Sequence, residues 1–132
     1  MGLDTNVLVR YVMQDDPKQS PRATRLIESL SAEDPGFVSV VVLVELVWVL
    51  SGSYGLDRSQ VAKVLSTLLR SKELVVDRAE GVAQALKRYD SAGADFADAL
   101  IERLATAAGC SATMTFDAGA VKSAAMAWVP RD

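Results

Sequence analysis

Histidine is absent from this chain of 132 residues. That excludes Ser-His-Asp and Cys-His catalysis, RNA cleavage by a histidine pair, and histidine-ligated zinc. The one cysteine, Cys110, has no partner for an internal disulfide and rules out a cysteine-rich metal cluster. No apolar run reaches the roughly 20 residues that a membrane-spanning helix needs. The best candidate, Val38–Leu50 ("VSVVVLVELVWVL"), is shorter and carries Glu45 in its middle. The opening "MGLDTNVLVR" lacks a basic region followed by an apolar stretch and a cleavage site, so no signal peptide is expected and a cytoplasmic location is. Half of the residues are hydrophobic, which excludes a disordered chain and suits one domain with a real core. Any enzyme chemistry here falls to carboxylates, alone or with a hard metal ion.

The elements alternate. "MGLD" reads as a short strand and "TNVLVRYVMQ" as a helix leaving it. "PKQSPRATRLIESLSA" is a second helix, with Ala23, Leu26, Ile27 and Leu30 on one face. "PGFVSV" and the apolar run after it are too long for one strand, so the segment splits into a strand to about Val40 and a buried helix ending near Gly52. "DRSQVAKVLSTLLRS" is amphipathic and helical, and "KELVVD" is a strand. "RAEGVAQALKRYDSAG" and "DFADALIERLATAAG" are helices, each stopped by glycine. "CSATMTFD" is a strand, "AGAVKSAA" a short helix and "MAWVP" a last strand. Strands alternating with helices predict an α/β fold with a parallel sheet.

This layout gives the acids a pattern, because ligands of open parallel sheets bind beyond the carboxyl ends of the strands. Asp4 closes the first strand and Asp117 closes "TMTFD". Glu45 lies about a turn into the helix after the second strand, and Asp95 and Asp98 open a later helix at i,i+3 spacing. Carboxylates brought together would repel one another unless a divalent cation reversed the sign of the interaction. Each also has a plainer role: Asp4, Asp95 and Asp117 as helix caps, with Asn6 an alternative cap, and Asp98 as a first-turn charge. Glu45 resists this explanation. Its neighbours in sequence and along the helix are apolar, with no Lys or Arg within four positions, and an unpaired buried carboxylate is costly.

"LDTNVLVRYV", "VVLVELVWVL", "DFADALIERLA" and "TFDAGA", in that order, resemble the PIN-domain nucleases. "DDPKQSPRA" points to the branch of VapC-type toxins of bacterial toxin–antitoxin pairs. The resemblance covers essentially the whole chain. It implies a three-layer α/β/α domain with a central parallel sheet, and an Mg²⁺- or Mn²⁺-dependent endoribonuclease that is a homodimer and is silenced by a cognate antitoxin. Carried over by motif, the acidic quartet is Asp4, Glu45, Asp98 and Asp117. Asp95 is then an accessory acid, and Asn6 and Thr115 orient the carboxylates. Two features depart from the pattern. Only three residues precede Asp4, and Glu102 stands one turn beyond Asp98 where relatives often carry a small residue; it is expected to pair with a basic neighbour at the rim.

On this reading Asp4 and Asp98 ligate the ion directly. Glu45 and Asp117 act through water or take a proton from the nucleophile. Attack by water leaves 5′-phosphate and 3′-hydroxyl ends, with one ion or two. The formal charge is −3, and setting the quartet aside leaves +1. Basic residues are scattered, with Arg10 the best candidate for a phosphate contact, so a selective RNA substrate is expected rather than tight non-specific binding. Trp48 and Trp128 read as core or interface residues, Tyr11 and Tyr54 as half-buried structural ones, and Cys110 as a small buried hydrophobe. "GSYG" reads as a helix-ending turn, not a phosphate loop. Surplus apolar surface on the first four helices suits an antitoxin helix or a dimer contact. Rival classes fit less well. An aspartyl phosphatase would want an acid where Asn6 stands, and a glycosidase would want an aromatic-rich cleft. A PIN-like RNA- or protein-binding module without nuclease activity would be expected to have lost part of the quartet.

Overall fold

A computed structural model describes residues 1–132, which fall into two compact units, Met1–Ala79 and Glu80–Asp132. The first unit holds helices α1 (Thr5–Met13), α2 (Gln19–Glu28), α3 (Val40–Trp48) and α4 (Arg58–Arg70), with strands β1 (Gly36–Val38) and β2 (Leu74–Val76). β1 and β2 pair in parallel, with Gly36 opposite Leu74 and Val38 opposite Val76. The start of the chain adds a single parallel bridge, Gly2 to Phe37, on the other side of β1. The short first strand read from "MGLD" is therefore one bridge, held by Leu3 N–H to the Phe37 carbonyl (3.0 Å) and Phe37 N–H to the Met1 carbonyl (2.7 Å).

Alternation along β1 and β2 turns Val38, Leu74 and Val76 inward and leaves Phe37 and Val75, register partners, exposed on the other face. Gly36 is buried, and a Cβ there would lie 2.8 Å from Leu3 Cδ1, 2.8 Å from Leu30 Cδ1 and 3.1 Å from Leu74 Cδ2. All three leucines are in the core. Gly36→Ala is therefore expected to cost about 1–2 kcal/mol by overpacking, read as a lower midpoint in urea with an unchanged slope.

α4 begins at a capping box. The Asp57 carboxylate accepts the Gln60 N–H (2.8 Å), and the Gln60 side chain accepts the Asp57 N–H (2.9 Å). Its buried stripe is Val61, Ala62, Leu65 and Leu68. α3 turns Leu43, Leu46 and Val47 inward and passes into a π-helical turn, Val49–Ser53, so the helical path ends near Gly52 as the sequence indicates.

The second unit holds α5 (Ala79–Ser91), α6 (Phe96–Ala107), α7 (Ala118–Ser123) and the strands β3 (Met114–Thr115) and β4 (Ala127–Trp128), which are also paired in parallel. Gly93 (φ 73°) and Gly109 (φ 97°) follow α5 and α6 in the left-handed region, where a residue with a Cβ is strained. Tyr89 and Phe96 meet edge to face, their ring centres 6.1 Å apart. Helices joined by parallel strands make the chain an α/β protein, as the alternation predicts. The last two strands are only two residues long, much shorter than "CSATMTFD" and "MAWVP" suggested.

Candidate active site

In the first unit one threonine joins two of the predicted acids. Asp4 caps α1, and its carboxylate accepts the Thr5 N–H (2.7 Å). The Thr5 hydroxyl donates to Glu45 Oε1 (3.1 Å) on α3. Thr5 is buried, whereas Asp4 and Glu45 are exposed. The expectation that Glu45 sits in an apolar interior is thus wrong. Val41, Glu45 and Trp48 recur at helical spacing and share the outward stripe of α3, opposite Leu43, Leu46 and Leu50. The carboxylate leaves the apolar surroundings by facing water. Thr5 was not singled out from the sequence, although it directly follows Asp4.

Asn6 and Arg10 line a cavity of about 390 Å³ between α1 and α2, with Gln19 and Arg22. Arg10 is partly committed. Its Nε donates to Gln19 Oε1 (2.9 Å), and its Nη1 reaches Tyr54 OH (3.3 Å) and Asp15 Oδ1 (3.4 Å). Tyr54 OH also donates to Asp15 Oδ2 (2.7 Å), which pushes the phenol pKa up and gives Tyr54 the half-buried structural role expected of it.

In the second unit Asp98 feels the charges of two further acids. Asp95 caps α6 by accepting the Asp98 N–H (3.0 Å). Asp117 caps α7 by accepting the Ala120 N–H (3.2 Å), and its own N–H donates to the Thr115 hydroxyl (3.0 Å). Thr115 thus fixes Asp117 through its backbone and not through its carboxylate. Asp98 is half-buried, and its carboxyl pKa is raised, first by partial burial and then by the charges of Asp95 and Asp117.

Glu102, one turn along α6, is buried rather than at the rim, but it does take basic partners. Arg88 Nη1 and Arg103 Nε both lie 2.6 Å from Oε1, Arg103 Nη2 lies 3.0 Å from Oε2, and the Thr106 hydroxyl donates to Oε2 at 2.8 Å. Arg103 first, with Thr106 and Arg88, holds the Glu102 pKa down at about 2.

One packing expectation is corrected and another narrowed. Cys110 is exposed rather than buried, and Trp48 and Trp128, read as core or interface residues, are exposed and so lie outside the core. Tyr11 is half-buried as expected.

As they stand, no three Asp, Glu, His or Cys side chains are close enough together to hold a metal ion. The donor chemistry nonetheless fits a hard divalent cation. Every candidate ligand is a carboxylate oxygen, and a cation would relieve the part of the rise in the Asp98 pKa that, after partial burial, comes from the charges of Asp95 and Asp117.

The model of the PIN domain family matches residues 1–125, almost the full length and a stretch that includes Asp4, Glu45, Asp98 and Asp117. The chain belongs to the PIN domain family. No curated protein and no solved structure matches it. Membership supports a nuclease-type hydrolase of a class that typically uses divalent metal ions. No helix is long and apolar enough to cross a membrane.

Proposed function

We propose that this chain is an Mg²⁺- or Mn²⁺-dependent endoribonuclease, the toxin of a toxin–antitoxin pair, working as a single domain in the cytoplasm. The observation that carries the reading is the family match, which runs through Asp4, Glu45, Asp98 and Asp117. The arrangement of each acid supports it. Asp4 and Glu45 share Thr5, and Asp98 is electrostatically coupled to Asp95 and Asp117.

Asp4 and Asp98 are the candidate direct ligands of the ion, and Glu45 and Asp117 are candidate ligands through water. A bound Mg²⁺ or Mn²⁺ would supply a water of lowered pKa and a counter-charge for a phosphate oxygen. Thr5 holds Glu45 by Oε1, which leaves Oε2 to accept the proton of the attacking water. Asp95 and Thr115 keep the backbones of Asp98 and Asp117 in place, and Asn6 and Arg10 line a cavity that begins two residues beyond Asp4 and suits an RNA phosphate. Exposed Phe37, Val41, Trp48 and Val75 fit a protein that covers apolar surface with a cognate antitoxin and a second copy of itself.

The test is cleavage of RNA with Mn²⁺ and with EDTA, with the product ends identified. Cleavage only with metal, leaving 5′-phosphate and 3′-hydroxyl, is expected. A 2′,3′-cyclic phosphate would contradict attack by water. Binding of RNA or of a protein without cleavage in any divalent ion would leave the non-catalytic module in its place.

A further inference from the structure

Phe116 and Trp128 are large aromatic side chains left in water, 83% and 53% exposed. Both line a cavity of about 890 Å³, together with Val129, Pro130, Arg131 and Asp132. The backbone ties this cavity to Asp117. Trp128 is the register partner of Thr115, and the ladder bonds on either side of it, Ala127 N–H to the Thr113 carbonyl (2.9 Å) and Val129 N–H to the Thr115 carbonyl (3.0 Å), pin it there. The hydroxyl of that same Thr115 accepts the Asp117 N–H, and Phe116 is the residue between them. The residues from Trp128 onward lie past the segment that the family model matches, so this wall is not part of what the family match accounts for.

We propose that Phe116 and Trp128 form a stacking platform for unpaired nucleobases of the RNA strand beside Asp117. The proposal rests on the ribonuclease reading and deepens it by adding a base-binding subsite beside Asp117. Stacking on aromatic faces is tolerant of base identity and needs the base splayed out of a helix, which a paired strand does not offer. Arg131 is the one cation on the cavity wall and Asp132 offsets its charge, so stacking rather than phosphate attraction carries the binding, and its dependence on salt is shallow.

The chain's only other tryptophan is Trp48, so Trp48→Phe leaves Trp128 as the sole indole reporter. In EDTA, a short oligoadenylate is expected to quench that fluorescence saturably. An abasic strand and a blunt duplex of the same length are not. With binding read instead by the anisotropy of a fluorophore-labelled oligoadenylate, Trp128→Ala and Phe116→Ala should each weaken it roughly tenfold, and Trp128→Tyr, which keeps an aromatic face, should restore most of it. Abasic or duplex RNA binding as tightly as oligoadenylate would overturn the proposal. So would a Trp128→Ala protein that sediments as a smaller species with unchanged RNA affinity, which would make this face a contact between copies. Because binding is read without metal, quenching that persists in a protein unable to cleave would strike the ribonuclease reading and leave the platform standing.

Discussion

Asp98→Asn is expected to lower RNA cleavage at least about a hundredfold and, in EDTA, to make the protein more stable, not less. The two effects share a cause. The Asp98 carboxylate is disfavoured by partial burial and by Asp95 and Asp117, and the raised pKa means that its ionised form costs folding free energy at neutral pH. Asparagine keeps the shape and removes the charge. The cap of α6 survives, because it is the backbone N–H of residue 98 that the Asp95 carboxylate accepts. Relief of a like-charge contact at a half-exposed site is worth a few tenths of a kcal/mol, so the gain in Tm is roughly 2 °C.

Mn²⁺ is expected to reverse the order. At 100 times Kd the ion should stabilise the wild type by about 2.7 kcal/mol and the variant by much less. Melting curves of both proteins, with EDTA and with saturating Mn²⁺, read all of this together. A variant that melts lower than wild type in EDTA would refute the electrostatic argument. An equal Mn²⁺ shift in both proteins would remove Asp98 from the ligand set.

Thr5 and Glu45 show where sequence reasoning stops short. The helices were legible from spacing, since the Val61, Leu65 and Leu68 stripe of α4 and the glycines after α5 and α6 stand where the pattern puts them. Glu45 was misjudged because burial was inferred from its neighbours in sequence. Position along a helix decides exposure, and residues 41, 45 and 48 share the side that faces out. Trp128 was left between core and interface for the strand version of the same reason, and it lies on the outward side of a two-residue strand. The Thr5–Glu45 bond spans forty residues and the Arg88–Glu102 bond fourteen, and local periodicity carries no information about such contacts. Of the acidic motifs, the capping roles were legible, because a cap is a local feature that the sequence marks directly. Asp4, Asp95 and Asp117 serve as caps in the fold whether or not they also ligate an ion.

Glu102→Ala carries the largest expected cost to stability, about 3 kcal/mol at pH 7. The side chain is buried and joins α6 to Arg88 of α5, which itself donates to the Ala124 carbonyl at the end of α7 (3.3 Å). Removing it strands two guanidiniums that are only partly in water. Its pKa, held at about 2 rather than the usual carboxylate range, gives the effect a pH signature. A depressed acid stabilises the fold fully above its unfolded pKa, near 4.5, and loses that contribution as pH falls towards 2. Asp98, one turn away on the same helix, has the opposite sign, because its cost is relieved on acidification. The difference in unfolding free energy between wild type and Glu102→Gln, measured in urea, should therefore be constant from pH 7 to about 5 and shrink steadily below that. Glutamine still offers Oε1 to one arginine but has no charge to titrate. A difference that persists undiminished to pH 2.5 would show that packing, and not the ion pair, makes Glu102 worth burying.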